Sequence, residues 1–110
     1  LERLKNLLRD QTNRTLKSQA VNVMSQLRQT GFAQAARMVS EANIFDFASQ
    51  IQVPTRVICG THDQVTSAEL NQRIADHIPG AELVTVENAG HWLFLEHSQQ
   101  FNQHLKNFLN

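Results

Sequence analysis

Two short apolar runs separated by a helical stretch predict an α/β fold with short parallel strands and flanking helices. The first run is Arg56-Val57-Ile58-Cys59, closed by Gly60-Thr61-His62-Asp63. The second is Leu83-Val84-Thr85-Val86, followed by Glu87-Asn88-Ala89-Gly90-His91. A helix between them allows the two strands to run parallel, with their C-terminal ends side by side. A third observation is the series of amphipathic helical faces that precedes the first run.

Taken in order, Leu1, Leu4, Leu7 and Leu8 recur at helical spacing and predict a short opening helix. Asp10-Gln11-Thr12-Asn13 is turn-like, with Thr12 or Asn13 placed to cap the next helix. Leu16, Ala20, Val23, Met24 and Leu27 mark that helix, which is expected to end before Gly31. Phe32, Ala35, Ala36, Val39 and Ala42 mark a third. These faces read as core, and a lid lining a pocket would show the same pattern. Phe45, Phe47 and Ile51 anchor a linker, and Val53-Pro54 is expected to start the first strand, since proline is tolerated at a strand's first residue. The β-branched, mostly apolar 56–59 suits a strand buried on both faces. Thr66-Ser67-Ala68-Glu69 fits a capping box with Thr66 as cap. Leu70, Ile74 and Ile78 then face one way until Pro79-Gly80 stops the helix. Trp92-Leu93-Phe94-Leu95 is an apolar bridge, and Phe101, Leu105, Phe108 and Leu109 give the last helix its buried face.

The topology brings Asp63 and His91 to neighbouring loops at one edge of the sheet, the edge where open α/β sheets form their sites. An acid beside a histidine is half of a nucleophilic apparatus. The carboxylate fixes the imidazole tautomer and steadies its charge while it takes a proton. Either residue alone would read as an ordinary loop residue; the order strand, Gly, acid, helix, strand, Gly-His is far more specific.

This pattern resembles the C-terminal part of an α/β-hydrolase. The resemblance rests on Pro54, Gly60-Thr61-His62-Asp63, Ile78-Pro79-Gly80-Ala81-Glu82-Leu83, Gly90-His91, Glu96 and the closing Phe101 with Phe108-Leu109. It covers roughly residues 44–110. Residues 31–46 are similar, less specifically, to the last cap helices of enol-lactonase-like and carbon–carbon-bond hydrolases. It implies residues 1–46 as a cap-type helical segment and 47–110 as the C-terminal part of the core. It also implies Asp63 as the catalytic acid and His91 as the catalytic base, with no cofactor. Ser98 stands where a proline commonly opens the last helix, and Asn43 where an aspartate often ends the cap.

Such enzymes need a nucleophile, usually a serine in G-x-S-x-G, before the acid. None of Ser18, Ser25, Ser40, Ser49, Ser67 and Ser98 has glycines two residues to either side. The expectation is therefore a C-terminal hydrolase part whose nucleophile half is absent and which is inactive alone. The parent protein would hydrolyse small esters, lactones or C–C bonds. The rival is a non-catalytic, self-associating structural module.

His62 is a second base-like residue at the site's edge. Trp92, next to His91, either meets substrate or supports the histidine loop. His77, His97 and His104 fall on helices and read as surface residues. No histidine spacing suggests a metal. Cys59, alone in the chain, cannot form an internal disulfide and reads as a small core residue, which suits a cytoplasmic protein. Ten basic and ten acidic residues cancel without a block of one sign, which argues against a nucleic-acid partner. No apolar run reaches the roughly 18 residues of a membrane span. Two strands alone leave an open edge, so a homo-oligomer is expected, pairing that edge or exchanging N-terminal helices. The alternative is that residues 1–42 fold back over it.

Overall fold

The computed structural model describes residues 7–10 and 13–110. The predicted opening helix falls largely outside these residues, as does Thr12. Helix α1 spans Arg14–Ser25 and α2 Gln29–Glu41. Two single-turn 3-10 segments follow, Ile44–Asp46 and Ala48–Gln50. Then come β1 (Arg56–Gly60), α3 (Ala68–His77), β2 (Glu82–Val86), the short α4 (Leu93–Glu96) and α5 (Ser98–Leu109). The strands pair in parallel with α3 as the crossover, Arg56 opposite Glu82 and Gly60 opposite Val86. Because Gly60 and Val86 are level, the loops leaving the two strands emerge at the same edge.

Asn13 is the cap of α1: its side-chain oxygen accepts the backbone N–H of Leu16 at 3.0 Å. α1 ends before Gly31, as expected, but already at Ser25, so Leu27 lies outside it, and Gly31 falls in the first turn of α2. The chain breaks at Gln26–Arg28, between α1 and α2. The strand also starts later than expected, at Arg56 rather than Val53-Pro54. The ladder hydrogen bonds on that side begin with Glu82 N–H donating to the carbonyl of Thr55. The expectation of a strand buried on both faces is met only at its C-terminal end, Cys59 and Gly60, while residues 56–58 are half-buried.

Among the described residues two apolar clusters form the core. Val86, Ala89 and Leu93 pack with Ile58 and Phe101 under the end of the sheet. Leu8 and Ala20 pack with Leu7, Leu16, Met24, Trp92 and Leu95. The apolar stretch 92–95 therefore bridges the two: Leu93 enters the sheet cluster, and Trp92 and Leu95 enter the helical one. At the opposite end of the sheet, Arg56 Nη2 and Nε donate to Glu82 Oε2 at 2.6 and 3.1 Å. Its Nη1 donates to the carbonyl of His104 at 3.0 Å, and the guanidinium lies 5.5 Å from the Phe108 ring centre. One side chain thus ties both strands to α5. Phe45 similarly pins the first 3-10 turn to α3, lying 4.7 Å from the His77 ring and 4.8 Å from the Arg73 guanidinium. Among the described residues no helix is long and apolar enough to cross a membrane.

Candidate active site

The site is built where β1 and β2 end. Gly60 closes β1 in direct contact with the loop after β2. A Cβ there would lie 2.2 Å from the carbonyl oxygen of Ala89, so only glycine allows this approach. The two loops are then laced together. Thr61 N–H donates to the carbonyl of Val86 at 3.0 Å, and His62 N–H to that of Ala89 at 2.9 Å. Asn88 N–H donates to Thr61 Oγ1 at 2.9 Å. Asn88 itself has φ 61°, a left-handed conformation that asparagine tolerates better than most residues. This lacing sets Asp63 and His91 face to face.

Asp63 Oδ2 lies 2.9 Å from His91 Nδ1. An ionised carboxylate only accepts, so Nδ1 carries the proton and Nε2 bears the lone pair of the neutral ring. Among the described residues nothing hydrogen-bonds Nε2. The Asp63 side chain is 3% exposed and that of His91 is 32% exposed. The pair is therefore sealed on the acid side and open on the base side. Asp63 Oδ1 accepts the backbone N–H groups of Val65 at 2.8 Å and Thr66 at 2.9 Å. Oδ2 also accepts the Thr66 hydroxyl at 3.1 Å. Burial pushes the Asp63 carboxyl up, but the hydrogen bond from His91, the N–H groups of Thr66 and Val65 and the nearby imidazole together hold it below the ordinary aspartate value. Cys59, buried in β1, has its thiol pushed up by burial and then by the Asp63 charge, so it stays a neutral core residue.

The histidine loop is held from its other side by the N-terminal segment. Trp92 N–H donates to the carbonyl of Leu7 at 2.8 Å. Glu96 splits its carboxylate: Oε1 accepts Gly90 N–H at 2.8 Å and Oε2 accepts Asp10 N–H at 2.6 Å. A Cβ on Gly90 would lie 2.7 Å from the backbone nitrogen of Arg9. Residues 7–10 thus lie against the loop that carries His91.

Of the other predicted site residues, His62 is exposed, with Nδ1 3.1 Å from Thr61 Oγ1, and makes no bond to Asp63 or His91. Trp92 packs into the Leu8–Ala20 cluster, as a residue supporting the histidine loop does. His97 is half-buried rather than a surface residue, with Nε2 3.3 Å from the carbonyl of Asn88. Among the described residues there is no group of three or more His, Cys, Asp or Glu that could hold a metal.

Thr66 and Glu96 are the residues whose roles sequence reasoning missed. The expected cap of α3 is corrected by one residue: Ser67, not Thr66, caps it, its oxygen accepting Leu70 N–H at 3.1 Å. Thr66 is thereby released to Asp63. The spacing Asp-x-x-Thr was the available signal, being that of local side-chain bonds back to the chain. Glu96 offered no local signal, because Asp10 is 86 residues away.

A family model described as alpha/beta hydrolase fold matches residues 1–98. Over 68 residues the chain is 35% identical to a 2-hydroxy-6-oxononadienedioate/2-hydroxy-6-oxononatrienedioate hydrolase of Pseudomonas sp., covering 62% of this chain. The match spans 24% of that relative's length. Among solved structures, Est816, described as an N-acyl homoserine lactone degrading enzyme, is 47% identical with a TM-score of 0.58, over 60% of this chain and 26% of that one. The enol-lactonase of Burkholderia xenovorans LB400 superposes with a TM-score of 0.82 over 98% of this chain and 42% of its own. At 24% identity that likeness concerns the fold alone.

Proposed function

The chain belongs to the alpha/beta hydrolase fold family, and from that premise we propose that Asp63 and His91 are the acid and base of a hydrolytic triad whose nucleophile comes from sequence beyond these 110 residues. The observation that carries this reading is the 2.9 Å bond from His91 Nδ1 to a sealed carboxylate, with Nε2 open. In this reading a serine hydroxyl attacks the substrate carbonyl while Nε2 takes its proton. The imidazolium, steadied by Asp63, then protonates the leaving group. Nε2 next deprotonates the water that splits the acyl-enzyme and returns the proton to the serine. The names of the relatives support small esters, lactones or C–C bonds as substrates. Residues 1–46, with α1 and α2, would be the lid, and 47–110 the part of the core that bears the site. His62 would stand at the edge of the substrate space, while Trp92 would support the histidine loop.

The test is a graft. These 110 residues replace the corresponding segment of the Burkholderia xenovorans enol-lactonase, and turnover of an activated ester is followed. The graft should turn over. Asp63→Asn and His91→Ala in it should each lower kcat by roughly 10³-fold or more, while His62→Ala stays within a few-fold. The 110-residue chain alone should not exceed buffer. Grafts carrying Asp63→Asn or His91→Ala that work as well as the unaltered one would overturn the reading, as would a burst of acylation on a serine of the chain alone.

A second reading, a self-associating module, is favoured by a different observation. Among the described residues no strand pairs with the outer edge of β1, and Val53, just before it, is 66% exposed. Self-association by itself is compatible with the acid–base pair; the rival is its non-catalytic form, and a graft that fails to turn over would favour it.

A further inference from the structure

Resting on the reading of Asp63 and His91 as acid and base, we propose that Thr66 is a positioning residue that tunes the pair by donating its hydroxyl to the same carboxylate oxygen that receives the His91 proton. Thr66 Oγ1 lies 3.1 Å from Asp63 Oδ2 and 3.4 Å from His91 Nδ1. The 3.4 Å contact is too long to compete with the 2.9 Å bond to the acid, so the hydroxyl hydrogen belongs to Oδ2. Asp63 then accepts four hydrogen bonds, from the N–H groups of Val65 and Thr66, the Thr66 hydroxyl and His91. That fills the roughly four lone-pair positions of a carboxylate.

Two consequences follow from this geometry. The carboxylate cannot turn about its last torsion without breaking a bond at each end, so Oδ2 stays aimed at Nδ1. The hydroxyl also draws charge from Oδ2 and weakens its hold on the imidazolium. Removing the hydroxyl while keeping the shape concentrates the charge on the bond to His91 and favours the protonated ring. The residue does this because Ser67 has taken the capping of α3; a threonine engaged as the cap would not be free for it.

The other ionisable groups around the pair lie on every element that packs there. His62 shares the acid's loop and Cys59 lies in β1. Glu96 of α4 binds Gly90 N–H, His97 binds the carbonyl of Asn88, and Arg9 and Asp10 belong to the N-terminal segment. None is altered by a change at position 66, so their influence cancels between variants.

The test is the titration of His91 in the 110-residue chain, read from the ring ¹⁵N shifts of labelled histidine, in wild type and in Thr66→Val, Thr66→Ser and Asp63→Asn. Thr66→Val should raise the His91 midpoint, and Thr66→Ser should restore the wild-type curve. Asp63→Asn should lower it. Should Thr66→Val fail to fold, Thr66→Ala carries the same expectation. A Thr66→Val curve that overlays wild type, with Asp63→Asn shifted, overturns the role of Thr66 and leaves the acid–base pair standing. A Thr66→Ser curve that moves with Thr66→Val also overturns it, because shape and not the hydroxyl would then be responsible. An Asp63→Asn curve identical to wild type overturns the pair, and this proposal with it.

Discussion

At the scale of single residues, Asp63 concentrates most of the site's physics. It is buried, carries four hydrogen bonds and is held below the ordinary aspartate value. That depression fixes the sign of a pH effect. In the unfolded chain the carboxyl takes up its proton near pH 3.9, about the value of a free aspartate. In the folded chain it stays ionised to lower pH. Within that window the unfolded state binds more protons, so stability falls as pH falls. The contribution is complete above the unfolded value and lost as pH drops through the folded one. Urea unfolding followed from neutral pH into the acid range should therefore show a steeper loss for wild type than for Asp63→Asn. Parallel curves would show that folding does not depend on the charge of Asp63. The pairing of Asp63 with His91 was legible in the sequence because it follows from chain order: strand, glycine, acid, helix, strand, Gly-His. The bond from Thr66 was not, because its hydroxyl had two local uses, helix cap and acid partner, and only the folded loop decides between them.

At the scale of elements, the strands and helices follow their apolar periodicities, and the differences concentrate where elements start. The β1 boundary moved because proline and its neighbour can lie beside a strand as well as begin one, and the ladder decides which. The start of α3 moved because Thr66 and Ser67 both suit a cap. With Ser67 as the cap, Glu69 is the second helical residue and not the third, so the reciprocal bond of a capping box is out of register. Ser67→Ala should cost about 1 kcal/mol of stability and raise the hydrogen exchange of the Leu70 amide. Thr66→Ala should leave that amide protected. The reverse pattern, with Leu70 exposed by the change at 66, would return the cap to Thr66. The tie between residues 7–10 and the loop bearing His91 lay beyond any element-level reading. It joins Asp10 to Glu96 through a backbone N–H, a group every residue but proline carries, so composition gives no sign of it.

At the scale of the whole molecule, the two parallel strands pair only with each other among the described residues. Two strands alone are marginal in water, and parallel sheets normally have both faces covered. Here three residues of β1 remain half-buried. Phe47 and Val53 lead into it at 48% and 66% exposure, and Met38 and Leu109 stand at 67% and 72%. The strand's outer edge has no strand partner among the described residues. An open apolar edge recruits another strand, and a second copy of the same chain is the nearest source. The expectation is a two-fold dimer at micromolar concentration, sedimenting at twice the 12.5 kDa of the chain. The mode of pairing separates by mutation. If the edge pairs, Val53→Lys should weaken the dimer at least tenfold, because a charge beside an exposed edge opposes strand addition. If the helices exchange instead, Val53→Lys should leave the dimer intact, and dissociation should be slow because α1 and α2 must leave one body for another. A monodisperse species of 12.5 kDa with a cooperative melt would exclude both modes. The chain would then satisfy its own edge.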